Sequence, residues 1–374
     1  MHCPHIRQGL RINHDGNMVP CCVFMDKSDS YIQSVGFSYY QNSVWLRNVE
    51  DELAKGKWPK GCSSCAMVEA NGGKSQRMNP PTGFSVEIIL GNICNSDCAM
   101  CGPDRSSMIA SRLKRHPHPQ GLIDHETDRF LIPTGPVEKF ELNELDGILE
   151  ILITADSIKL IGGEPFLIKE LWKTLDILSY KNSNVKLELI TNASIFDTSQ
   201  LEILRRFTNI HLYFSADAAE DHYEWIRHGL DWQAFKRNLD ILRPLAKYSV
   251  ISATVSALNV TALRDLGQYA YDIGMFLQFW PISNPKLLTL ENVSSRIIAD
   301  ELKAWQAMKT DSKRNEICKK MLINHLKTVL PKCPADNDPR LINYINYLNP
   351  LRKHELGAKD LTLSKKTIGT IPFR

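Results

Sequence analysis

Between residues 84 and 281, short runs of apolar or alternating residues recur, and longer stretches of three-to-four-residue periodicity lie between them. Residues 84–90 read as a buried strand. Residues 157–161, 185–190, 210–214, 250–255 and 275–280 read as five more. Helical patterns occupy 105–115, 143–153, 167–178, 197–207, 232–242 and 260–273, with Asp197 placed to cap the fourth. This alternation predicts an α/β fold built of parallel β/α units. Six units make a partial (β/α)6 barrel, and such barrels carry their chemistry at the C-terminal ends of the strands.

The flanks follow other patterns. Near the start, alternation through Leu10-Arg11-Ile12 turns at Asp15-Gly16 and returns through Met18-Val19, which predicts a hairpin. An amphipathic helix over 44–53 stops at Gly56, and 72–83 is a polar, glycine- and proline-rich linker. Residues 116–140 are polar, irregular and rich in proline, as in a lid or a loop that touches substrate. Beyond 286 the pattern is helical over 294–330, is broken by proline over 331–339, and resumes over 341–356. Helices there would cover the open edge of the barrel. Three units result: a small N-terminal module with its linker (1–80), the barrel (81–285) and a helical extension (286–374).

Composition narrows the class without naming a ligand. With 374 residues, 43% hydrophobic and 23% charged, the chain can bury a sizeable core. A net charge of +3 gives no argument for nucleic acid or an acidic membrane, and no stretch reaches membrane-spanning length. Ten cysteines with no visible secretion signal point to metal or redox chemistry in a reducing cytoplasm.

Three of those cysteines, Cys94, Cys98 and Cys101, stand as C-x3-C-x2-C directly after the first barrel strand. A tight loop leaving a strand can turn three thiolates to one point, which suits a cubane iron–sulfur cluster with one iron left open. A zinc knuckle is the alternative, although zinc motifs close four ligands. A second set is Cys3, Cys21, Cys62 and Cys65, from the hairpin and a C-x2-C turn. Four such thiolates make a closed site for zinc or a fully ligated cluster. Cys22 competes with Cys21, since neighbours in a strand point apart. Cys318 and Cys333 are separated by a whole helical pattern and read as packing residues.

The three-cysteine spacing resembles that of the radical S-adenosylmethionine (radical SAM) superfamily, and the resemblance runs to about residue 285. Gly162-Gly163-Glu164-Pro165, straight off the second barrel strand, resembles that family's segment for the methionine amino group. The resemblance implies a [4Fe–4S] cluster on Cys94, Cys98 and Cys101, whose open iron chelates S-adenosylmethionine (SAM). One electron then releases a 5′-deoxyadenosyl radical that takes hydrogen from a substrate. It also implies cofactor contacts from Asn192, Ser215 and Asn259, an arginine for the methionine carboxylate at Arg227, and Met100 packing under adenine. The early cysteines resemble the SPASM and twitch modules, which implies a second, auxiliary [4Fe–4S] cluster on Cys3, Cys21, Cys62 and Cys65. A flavodoxin- or ferredoxin-type reductant and a peptide or small-molecule substrate follow as partners. An electron-transfer or cluster-carrier protein is the rival of another class; it would have no use for the Gly162–Pro165 segment.

Overall fold

The structure, a computed structural model, describes residues 1–132 and 146–364. All six expected barrel strands are present. Counted with two from the N-terminus, they are β1 (Gly9–Ile12), β2 (Met18–Val19), β3 (Ser85–Ile89), β4 (Ser157–Ile161), β5 (Lys186–Thr191), β6 (Ile210–Ser215), β7 (Tyr248–Val255) and β8 (Phe276–Pro281). They form one sheet in the order β8-β7-β6-β5-β4-β3-β1-β2, parallel throughout except for the β1–β2 pair.

The outer face of each strand buries Val86, Ile88, Leu160, Leu189, Leu212 and similar residues under the surrounding helices. The inner face does not follow the usual rule for parallel strands, which are apolar on both sides. From β4 to β6 buried residues alternate with part-exposed ones, because the sheet curls around an open lumen lined with polar groups. Asp197 does cap its helix, Thr198–Arg205. Its carboxylate accepts from the Gln200 amide while the Gln200 side chain accepts from the Asp197 amide.

Three expectations need correcting. The N-terminal hairpin forms, but β1 also pairs in parallel with β3, Gly9 opposite Ser85, so the first segment extends the barrel sheet. A bare strand edge invites such pairing. A helix at Ile32–Gln41 had no clear sequence signal, since Gly36 (φ +68) kinks it and breaks the periodicity. The last helix, Pro339–Leu348, ends well before 356. Pro350 cannot continue it, and Glu355–Leu356 pairs with Leu363–Ser364 as a short ribbon. The irregular stretch expected over 116–140 and the helix expected from 143 lie partly outside the described residues; that helix is described over Asp146–Thr154.

The expected covering of the open edge is made by the helix Lys313–Val329, which packs against β8. Asn315, in the helix Lys313–Val329, accepts from the Leu277 amide and donates to the Met275 carbonyl, both at 2.9 Å. Two polar groups at the edge of β8 are thereby satisfied.

Candidate active site

The loop after β3 carries Cys94, Cys98 and Cys101 at the C-terminal end of the sheet. Its shape is held from several sides. The Ser107 amide donates to the Asn92 carbonyl at 2.7 Å, and Ser106, which caps the helix Ser107–Arg115, donates its hydroxyl to the Ser96 carbonyl at 2.6 Å. Asp97–Cys98 forms a short antiparallel ribbon with Arg227–His228. The Ser96 hydroxyl lies 3.2 Å from the Cys94 sulfur and 3.3 Å from that of Cys98, so one group gathers two thiols. Burial raises the pKa of all three thiols, that of Cys98 to about 11; Cys94 raises Cys98 further, and Cys98 and Cys94 raise Cys101. Three gathered sulfurs that cannot easily ionise together without a cation suit a metal-ligand set.

Gly162 and Gly163 leave β4 with φ of +93 and +55. A side chain at Gly163 would meet the Ile93 carbonyl oxygen at 2.2 Å, and one at Gly162 the Gly91 oxygen at 3.0 Å. Only glycine fits both the backbone angle and the contact. The Glu164 amide donates to that same Ile93 carbonyl at 2.8 Å, so the Gly-Gly-Glu-Pro turn is stacked on the cysteine loop.

The two motifs are therefore one structure, and residues 88–256, which contain both, match the model of the radical SAM superfamily. This segment is a radical SAM domain. No curated protein matches the chain. Among solved structures it is similar to anSMEcpe with bound AdoMet, at 19% identity and a TM-score of 0.41. That likeness covers 59% of this chain and 58% of that one, so the chain spans less than two thirds of that relative's length. It is also similar to Streptococcus suis SuiB bound to precursor peptide SuiA, at 12% identity and a TM-score of 0.38, covering 79% of this chain and 67% of that one.

A radical SAM domain is an enzyme domain and implies a [4Fe–4S] cluster and SAM. The residues present fit that pair. Arg227 is joined to Asp217 at 2.8 Å, and its buried Nε has no hydrogen-bond partner among the described residues, although it lies beside Cys98. An unspent guanidinium donor next to the three thiols suits a carboxylate ligand.

The other expected cofactor contacts divide. Ser215 ends β6 on the inner face of the sheet. Met100 is buried in the core, and Pro165 is buried at the end of the turn. Glu164 is 1% exposed and already accepts from the Thr191 hydroxyl and the Asn192 amide, both at 2.7 Å, and from the Phe166 amide at 3.2 Å. Burial lifts its pKa to about 7 against the lowering by those donors. Asn192 donates its amide to Asn95, inside the cysteine loop. Asn259 requires a correction. Its Oδ1 accepts from the amide and hydroxyl of Ser256, and its Nδ2 donates to the carbonyls of Asp217 and Thr254. Every donor and acceptor of that amide is used, tying the loop after β7 to the end of β7 and to the loop after β6, so it has nothing left for a cofactor.

Sequence reasoning missed what stands behind the cysteine loop. Asp97 accepts from Arg112 Nε and Arg352 Nη1, each at 2.9 Å, and all three side chains are buried. Tyr344 donates to the Ala99 carbonyl at 2.9 Å. The C-terminal extension thus clamps the radical SAM domain at its cysteine loop. An aspartate between two cysteines signals a need for cations, yet nothing in the sequence points to residue 352.

At the other end of the hairpin, Cys3, Cys21, Cys62 and Cys65 line one pocket with His5 and Trp58. Burial raises the pKa of Cys3, and those of Cys21 and Cys62 to about 12. Cys21 feels Cys3 and Cys62, and Cys62 feels Cys3 and Cys65. Cys22 faces elsewhere, among Glu87, Lys159 and Arg11 on the inner side of the sheet. Cys318 is buried under the tail helices, and the Cys333 thiol points at the carbonyls of Leu290 and Val329.

Proposed function

We propose that the chain is a radical SAM enzyme that takes a hydrogen atom from a peptide side chain. The observation that carries this reading is the loop of three gathered thiols stacked on a glycine turn, with the unspent Nε of Arg227 alongside. Bound there, the cluster and SAM supply one-electron cleavage of the cofactor to a 5′-deoxyadenosyl radical. The chain's own residues do the rest. Cys94, Cys98 and Cys101 hold three irons, while the backbone of Gly162 and Gly163 and the carboxylate of Glu164 meet the methionine amino group. Arg227 meets its carboxylate, and Asn192 and Ser215 border the ribose side. A carrier protein would need neither the glycine turn nor the arginine.

Cys3, Cys21, Cys62 and Cys65 would hold an auxiliary [4Fe–4S] cluster, whose chemistry there would be electron transfer or substrate positioning, with a flavodoxin or ferredoxin as the reductant. The peptide reading rests on the resemblance of this four-cysteine set to modules of peptide-modifying relatives. A small metabolite is the second reading, favoured by the cavity of about 780 Å3 inside the sheet, a size suited to one compact ligand.

The test is anaerobic reconstitution, assay of iron and sulfide, and a search for 5′-deoxyadenosine after adding dithionite and SAM. About eight irons with product is the expected result for two cubanes. Four irons with product would replace the auxiliary cluster with zinc. Zinc alone would overturn the proposal. Alanine at Cys94, Cys98 and Cys101 removes product and leaves the auxiliary iron.

A further inference from the structure

Inward-facing residues of neighbouring strands fall opposite one another. Arg11 faces Glu87, Glu87 faces Lys159, Lys159 faces Glu188, Glu188 faces His211, and His211 faces Tyr248. The residues two places further along pair Ile89 with Ile161 and Ile190 with Tyr213. The lumen therefore has a charged row below a mainly apolar one, and the apolar row lies nearer the cysteine loop. The cavity of about 780 Å3 runs over both and is bordered by Lys159, Glu188, His211, Tyr248, Trp280 and Arg314.

The carboxylates of this row are already committed. Glu87 is shared by Lys159 at 3.3 Å and Arg11 at 3.6 Å. Glu188 is held by Lys186 at 2.5 Å and accepts from the Tyr213 hydroxyl at 2.9 Å. Arg314 leans over the rings of Tyr248 and Phe276 at 5.4 and 5.3 Å, and no ion pair is described for it. Of the charged residues that border the cavity, Lys159 and Arg314 are cations and Glu188 is the carboxylate, which Lys186 already holds, so positive charge is in excess there. Charge that lacks a counter-charge near a low-dielectric wall attracts an anion.

We propose that this cavity takes a substrate bearing an acidic group, a carboxylate or a phosphate, which Lys159 and Arg314 draw in and hold. Lys159 lies three residues before Gly162, so at about 3.3 Å per residue the acidic group sits roughly 10 Å along the strand from the glycine turn stacked on the cysteine loop. The atoms between them cross the Ile89–Ile161 row, which requires an apolar spacer. A cationic substrate finds no uncommitted carboxylate among the described lumen residues.

This inference rests on the radical SAM reading only for what the cavity is for, and binding can be tested without turnover. The full-length, metal-loaded protein is titrated calorimetrically under anaerobic conditions with glutarate, butyl phosphate, cadaverine and glutaramide. Both anions bind, and added salt weakens them. The tighter of the two names the acidic group. Lys159→Gln and Arg314→Gln each weaken binding by about tenfold, Lys159→Arg retains it, and the iron content of all variants is unchanged. The inference is overturned if neither anion binds, if cadaverine or glutaramide binds as tightly, or if both glutamine variants bind like the parent. Production of 5′-deoxyadenosine by the same preparation is scored separately, so loss of one reading leaves the other standing.

Discussion

Replacing Arg352 with methionine probes the clamp behind the cysteine loop. Burial opposes the charge on Asp97, yet Arg352 and Arg112 outweigh it and hold its pKa below the usual carboxylate value. Arg352 has a fully buried side chain, and Asp97 is 5% exposed. Removing one partner of a buried pair costs roughly 3–5 kcal/mol, because the remaining charge is stranded. Arg112 still reaches Asp97 at 2.9 Å, which puts the expected loss near the lower end, about 3 kcal/mol. That is a sizeable share of a stability of about 5–15 kcal/mol. The assay is anaerobic urea unfolding of the parent, Arg352→Met, Asp97→Asn and the double variant. The double variant should cost less than the sum of the singles by at least about 1 kcal/mol, since the two residues share one interaction. Iron release to a chelator should also quicken, because Asp97 adjoins Cys98 in the ribbon with Arg227–His228. A loss under about 1 kcal/mol, or strict additivity, would refute the claim that this ion pair braces the loop.

Three further outcomes are expected. Gly163→Ala should abolish 5′-deoxyadenosine formation, because its methyl group meets the Ile93 oxygen at 2.2 Å; Gly36→Ala, with left-handed φ but open space, should leave it intact. Cys21→Ser should lose the auxiliary metal while Cys22→Ser keeps it, as read by metal analysis of each purified variant. The third concerns pH. The folded pKa of Glu164, about 7, lies above its ordinary 4.5, so the native state holds the extra proton between these values. Stability therefore falls as pH rises through that window, by on the order of 3 kcal/mol, and is level above it. Glu164→Gln should flatten this slope in urea unfolding; an unchanged slope would assign it to other groups.

The strands and the clustering of Cys94, Cys98 and Cys101 were legible because each depends on local order. A β-branched run bounded by turn residues can be read within a window of about ten positions, and C-x3-C-x2-C states its own ligand spacing. Gly162 and Gly163 were legible as a motif, but the clash that demands them comes from Ile93, about seventy residues earlier in the chain. Asn259 misled for the same reason. Its type suited a cofactor contact, while its partners, Asp217 and Thr254, are supplied by the fold. Gly36 hid a helix that the packing around Ile32 and Tyr40 supports.

Sequence alone determined the α/β class, the six barrel strands, the three clustered cysteines and the two candidate metal sets, since spacing and periodicity are properties of the chain itself. Tertiary structure decided that β1 joins the barrel edge, that Cys21 rather than Cys22 turns toward Cys3, and that Arg352 closes on Asp97. It also decided that Arg11, Glu87, Lys159 and Glu188 form one row inside the lumen. The physical reason is that hydrogen-bond register and charge pairing act through space between residues far apart in the chain, and only the folded backbone sets which of them meet.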